Sequence, residues 1–299
     1  MVQARNPSFP GVAFAIAAPL LYSASVPLSK VFLQQVEPWI LAGLLDLCAG
    51  LGIAVAYLIQ RFVIYKAPHN PLQGQDWRWI WSAVLIGGLM APVLQIYGIA
   101  YSSASVASLM LNLEGVFTAL IAWIVFQEPF ERRVALGLAT ITLGSIVLVW
   151  QGNGMNLSWG ALAIAGASLA WATSSNLTQK VATRNPLQVV MYRVGVSGGI
   201  NTSLALAAGH TLPNLWLMGA IALTGLFCIA LTFFCFIMAL RHIGTSKAGT
   251  LFSLFPFTGA VLSIVSLNEP VTSRLIIAGL LMAIGLGFCL KLKPQEIES

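Results

Sequence analysis

The chain is poor in charge: of its 299 residues, 8% are Asp, Glu, Lys or Arg, against roughly 25% in an ordinary soluble domain. With 58% hydrophobic residues, that shortage excludes a water-soluble globular fold. Cysteine is scarce too. Cys48, Cys228, Cys235 and Cys289 all lie inside apolar segments without zinc-like spacing, which reads them as small core residues rather than metal ligands or disulfide partners. Three histidines, His69, His210 and His242, fall in a loop or at segment ends, so Ser168 has no base placed to activate it as a nucleophile. No HExxH, Walker or dinucleotide motif occurs, and no cofactor or metal is expected. The net charge of +6 sits at the ends of apolar segments rather than in one patch, a sign of membrane orientation and not of a nucleic-acid partner.

What is present is a succession of long apolar runs. A bilayer core of about 30 Å takes about 20 helical residues per crossing. Pro, Gly, charged and aromatic residues divide the chain into ten such runs, at 11–33, 38–60, 79–98, 105–126, 134–150, 158–178, 187–209, 215–239, 246–267 and 274–291. Runs of this length mean helices rather than barrel strands, so the expected fold is an all-α integral membrane protein with ten transmembrane helices. The start, MVQARNPSFP, leads into the first run without a small-residue cleavage site and reads as a retained helix. Trp39, Trp77, Trp79, Trp81, Trp159 and Trp216 lie near run boundaries, as an interfacial aromatic belt does. Of the fifteen Lys and Arg residues, all but Lys30, Arg193 and Arg274 fall on the side of the N-terminus. Both termini are therefore expected in the cytoplasm.

The chain also repeats. Sliding residues 99–150 onto 240–291, an offset of 141, superposes Glu128-Pro129 on Glu269-Pro270 and Arg133 on Arg274 without a gap. An offset of 149 lays "GVAFAIAAPLLYSASVPLS" over "GALAIAGASLAWATSSNLT" and puts Tyr22 on Trp171. Two repeats, 1–151 and 152–299, each with five runs, must lie in opposite orientations because five is odd. Inverted repeats are a feature of secondary transporters.

Two halves that begin with "PLLYSAS" and "ASLAWATSS" and end their fourth helix in Glu-Pro resemble the EamA family of the drug/metabolite transporter superfamily. The resemblance implies a ten-helix inverted-repeat carrier in the bacterial inner membrane, with a central cavity, exporting amino acids or related metabolites. The family's Pro about thirteen residues before the Glu is present as Pro256, while the first half has Gly115 there. Its Arg after a Pro in the second helix of each half is present as Arg193, after Pro186; the first half instead has Leu45 and Asp46 after Pro38.

A charged residue in mid-membrane costs roughly 2.5–3.5 kcal/mol on insertion scales, so Asp46, Glu114 and Arg193 each need a partner, a wet cavity or a proton. An Asp46–Arg193 or Glu114–Arg193 bridge between halves is one expectation. Glu114, about nine residues from either end of its run, lies near the midplane and has two readings. A carboxyl group out of water holds a proton more readily, which would couple export to proton entry; alternatively Arg193 or a broken helix keeps Glu114 in one state. Tyr22, Gln95, Tyr97, Asn112, Trp171, Asn176 and Asn201 are the expected cavity lining. Gly115 and Pro256 read as helix-loosening points, and Glu128-Pro129 and Glu269-Pro270 as helix terminators. Lys30 is expected to snorkel to the outer surface. The partners implied are a small-molecule substrate, protons and membrane lipid. A passive channel, or less favourably an intramembrane enzyme, is the alternative.

Overall fold

The computed structural model describes residues 9–64, 70–127, 131–150 and 158–290, with helices throughout and no strand among the described residues. Helix α1 (Phe9–Phe32) is followed by α2 (Pro38–Ile59), which runs into a π turn at Gln60–Ile64. Helix α3 (Asp76–Ala83) continues through a π stretch, Val84–Met90, into α4 (Ala91–Ala100). Helices α5 (Ala104–Met110) and α6 (Leu113–Phe126) form one rod broken at Leu111-Asn112, and α7 (Arg132–Val149) follows. Then come α8 (Trp159–Gln179), α9 (Pro186–Val190), a π stretch at Met191–Val196, and α10 (Ser197–Ala207). Helix α11 (Leu215–Thr224) passes through Gly225–Ala230, again π, into α12 (Leu231–Ile243). The rod of α13 (Thr245–Phe252) and α14 (Phe255–Leu267) breaks at Ser253-Leu254, and α15 (Ser273–Leu290) ends the described chain.

Among the described residues, seven stretches are long and apolar enough to cross a bilayer: Pro10–Phe32, Pro38–Phe62, Asp76–Ala100, Ala104–Phe126, Arg132–Val149, Leu215–Ile243 and Lys247–Leu267. Ser273–Cys289 is apolar but shorter. The expected runs at 158–178 and 187–209 fall below that measure for a compositional reason. They bury Ser168, Ser174, Asn176, Ser197, Asn201 and Thr202, side chains suited to facing other helices rather than lipid.

The π stretch before α4 has a chemical cause. Pro92 has no N–H to give the Gly88 carbonyl four residues back. The Asn201 amide instead donates to the Gly88 and Leu89 carbonyls at 3.5 and 3.2 Å. A shift of 141 residues carries the bounds of this π stretch, the break in the next rod and the helix after it onto their counterparts in the second half to within about a residue. Even the cap repeats: α6 ends on Gln127 and α14 on Asn268, both left-handed, at φ 54° and 52°.

Helix α1 packs on α12 and α14, α8 on α4 and α6, α2 on α10, and α7 on α15. Small residues allow the closest of these approaches. A Cβ on Gly50 of α2 would lie 2.1 Å from the Gly195 Cα, and one on Gly285 of α15 would lie 2.6 Å from the Gly137 carbonyl.

The two ends of the bundle differ. At the terminal face, where α1 begins and α15 ends, Arg184 pairs with Asp76 at 2.7 Å and donates to Asn70. At the far face Lys30 does not snorkel outward; its ammonium donates to the carbonyls of Ile99, Ala100 and Ser102 at 2.7, 3.1 and 2.6 Å, capping the C-terminal end of α4. Glu269 departs from its expected role in a similar way. Asn268 terminates α14, while the Glu269 carboxylate accepts the N–H groups of Ala104 and Ser105 at 2.6 and 2.9 Å, joining α14 to the start of α5. Pro270 is exposed just beyond. Glu128 and Pro129 lie outside the described residues. Helix α5 packs on α14 and α1 here, but the repeat-related pairs, α13 with α6 and α13 with α8, make no comparable contact among the described residues. Among the described residues the far face is thus packed together and the terminal face less so.

Candidate substrate chamber

The rod breaks position the chamber. Because α6 begins at Leu113, Glu114 sits in its first turn rather than in the middle of an unbroken helix as expected, and the N-terminal end of a helix favours a carboxylate. The break falls at Leu111-Asn112, just before Gly115, and a Cβ on Gly115 would meet nothing within 4 Å. Pro256 occupies the matching first turn of α14.

A cavity of about 210 Å³ is lined by Tyr22, Glu114, Trp171, Ser175 and Arg193 together with Thr232 and four phenylalanines. The Tyr22 ring is 6.4 Å from Trp171, 6.1 Å from Phe252 and 5.0 Å, edge-on, from Phe255. Phe236 lies 4.8 Å from Phe252, and the Arg193 guanidinium stands 5.8 Å over the Trp171 ring. Tyr22, Trp171 and Arg193 also wall a smaller space of about 50 Å³ that reaches Asp46 and Gln95. On the other side, Glu114, Phe252 and Phe255 border a cavity of about 480 Å³ that extends past Asn112 and Asn176 to Gln179 and Gly249, towards the terminal face.

The three expected intramembrane charges are therefore brought to one place. The expected bridge does not form: neither Asp46 nor Glu114 approaches Arg193 within 4 Å, although each shares a cavity with it. Of the expected lining, Tyr22, Trp171, Gln95, Asn112 and Asn176 face these cavities. Asn201 is committed to the π-stretch carbonyls, and Tyr97 stacks on Tyr101 with ring centroids 6.5 Å apart. Of the buried polar atoms without a partner, two belong to these lining residues, the Trp171 Nε1 and the Asn176 Oδ1. Phe233, Phe236, Phe252 and Phe255 escaped the sequence reading, although the offset of 141 already lays Phe255 over Glu114. The described residues hold no group of three His, Cys, Asp or Glu suited to a metal.

A multi-pass helical bundle with polar groups and branching cavities at its centre has the makings of a small-molecule transporter. A sequence model described as the EamA-like transporter family matches residues 9–150 and 158–290, and the chain belongs to that family. It is 24% identical over 288 residues to an "Uncharacterized transporter" of Methanothermobacter thermautotrophicus, covering 90% of this chain and 83% of that one. It is 29% identical over 90 residues to a "Probable amino-acid metabolite efflux pump" of Salmonella typhimurium, covering 29% and 30% of the two chains. A solved structure titled "Crystal structure of protein" shares the fold with a TM-score of 0.65 at 17% identity, over 93% of this chain and 96% of its own. Family and relatives alike point to a transporter rather than an enzyme.

Proposed function

We propose that this protein is a secondary carrier that exports small metabolites, amino acids or related compounds, by alternating access, with proton entry coupled through Glu114. Ten helices cross the bacterial inner membrane as two inverted five-helix repeats, 1–151 and 152–299, with both termini in the cytoplasm. One observation carries the reading: α5 is packed on α14 and α1 at one face, whereas the repeat-related α13 makes at most marginal contact with α6 and α8 among the described residues at the other. Exchanging the conformations of two inverted halves would reverse which face is closed. The two stretches matched to the family model, and the recurrence of π stretches, breaks and caps at an offset of 141, support the repeat. The lysine and arginine distribution supports the orientation, and the printed name of the Salmonella relative supports the substrate class.

The test is transport in proteoliposomes. The wild-type protein should show saturable counterflow and net transport driven by a pH gradient. Glu114→Gln should lose the pH-driven component, because a side chain that cannot ionise exchanges no proton. Flux that never saturates would identify a channel, and intact pH-driven transport in Glu114→Gln would end the proton assignment.

A further inference from the structure

The chamber has an uneven set of charges. Asp46 and Glu114 face a single guanidinium, that of Arg193, across shared cavities, so full ionisation leaves one negative charge without a partner. Low-dielectric surroundings make an unmatched charge costly; a proton on one carboxyl relieves it, and so does an occupant of charge +1. Tyr22, Trp171, Phe252 and Phe255 meet beside Glu114. Aromatic faces attract organic cations, whereas a bare metal ion of the calcium or magnesium kind requires about six oxygen ligands, more than Glu114, Ser175 and Thr232 supply here.

A second observation points the same way. Asn176 is 2% exposed, its amide donates to the carbonyls of Thr118 and Ala172, and its Oδ1 accepts nothing. It borders the same cavity as Glu114, one that widens from the aromatic chamber towards the terminal face. A carboxylate and an idle buried acceptor on one cavity wall suit a group with several N–H donors.

We propose that the substrate is a small primary amine with an aromatic or other apolar body and no carboxylate, its ammonium held by Glu114 and Asn176 and its ring among Tyr22, Trp171, Phe252 and Phe255. The transport part rests on the carrier reading above and narrows its substrate class. An amino-acid zwitterion would leave the spare negative charge unmatched; an amine matches it. A proton on Glu114 competes with the amine, so amine binding weakens as pH falls. The ionisable groups facing Glu114 are Arg193 from the π stretch after α9, Tyr22 from α1, across the wider cavity the Cys289 thiol from α15 and, through the adjoining space, Asp46 from α2. Helices α8, α12, α13 and α14 add hydroxyl, amide and aromatic groups without charge.

Three probes with one ring separate the possibilities: 2-phenylethylamine, phenylalanine and 3-phenylpropionate, titrated calorimetrically into the purified full chain and then tested for exchange in proteoliposomes. The amine should bind at least about tenfold more tightly than either of the others, and less tightly at lower pH. Glu114→Gln should remove that preference. Asp46→Asn, which leaves one carboxylate per guanidinium, should shift it towards phenylalanine. Equal or tighter binding of the acid or the amino acid by the wild-type protein would overturn the assignment, as would an amine preference surviving both substitutions. Preferential amine binding without exchange across the membrane would uphold the binding class and overturn the carrier reading.

Discussion

Gly50 and Gly195 bring the backbones of α2 and of the π stretch after α9 close enough that a Cβ on Gly50 would come 2.1 Å from the Gly195 Cα. Backbone cannot yield as a flexible side-chain tip does. Gly50→Ala should therefore cost about 1–3 kcal/mol, as overpacked sites do, and lower the melting temperature in detergent. Gly219→Ala, at a position with nothing within 4 Å of the added atom, should leave it within experimental scatter. An unchanged melting temperature for Gly50→Ala would mean that the two helices do not cross this closely. At this scale the sequence was most legible where chemistry contrasts with lipid. Asp46, Glu114 and Arg193 stand out because charge is rare in apolar runs, and the 149 offset links Tyr22 to Trp171. The phenylalanines of the chamber were not legible, because a phenylalanine facing substrate and one facing lipid look alike in a sequence. Asn201 and Tyr97 stand out as polar residues, but helix rotation decides that one serves a π stretch and the other an aromatic stack.

At the scale of elements, one carboxylate reaching another helix adds to the packing that closes the far face. Glu269 holds two N–H groups at the start of α5, a charge-assisted contact stronger than a neutral hydrogen bond. Glu269→Ala should loosen the pair α5 and α14. With the four native cysteines replaced and a cysteine put at Ala107, which is fully buried, maleimide labelling in detergent should become several-fold faster in Glu269→Ala than with Glu269 intact. Equal rates would show that packing alone closes this face. The Glu-Pro recurrence was visible in the sequence, and with it the offset of 141. Its function was not, because the reach of Glu269 depends on the left-handed turn at Asn268. The rod breaks were anticipated a few residues late, at Gly115 and Pro256, where the helices restart rather than stop. The π stretch before α4 was missed, although Pro92 marks the backbone donor whose absence favours it.

For the molecule as a whole, the all-helical membrane class was legible in the sequence because length and apolarity govern helix formation in lipid. The sequence did not show which end is closed. That depends on contacts between halves that are far apart in the chain and nearly equivalent in chemistry, and a sequence with an internal repeat is compatible with either arrangement. The same near-equivalence supplies the most direct test of the central claim, that the two faces exchange their closure. Val106 on α5 and Val265 on α14 are related by 141 residues to Lys247 on α13 and Ile124 on α6. Spin labels at 106 and 265 report the far face, and labels at 124 and 247 report the terminal face. Pulsed distance measurements in lipid should show the first pair close and the second apart in one population, and the reverse in another, with both populations responding together to pH or substrate. Two faces that open together, or a terminal face that never closes, would contradict alternating access and favour a channel.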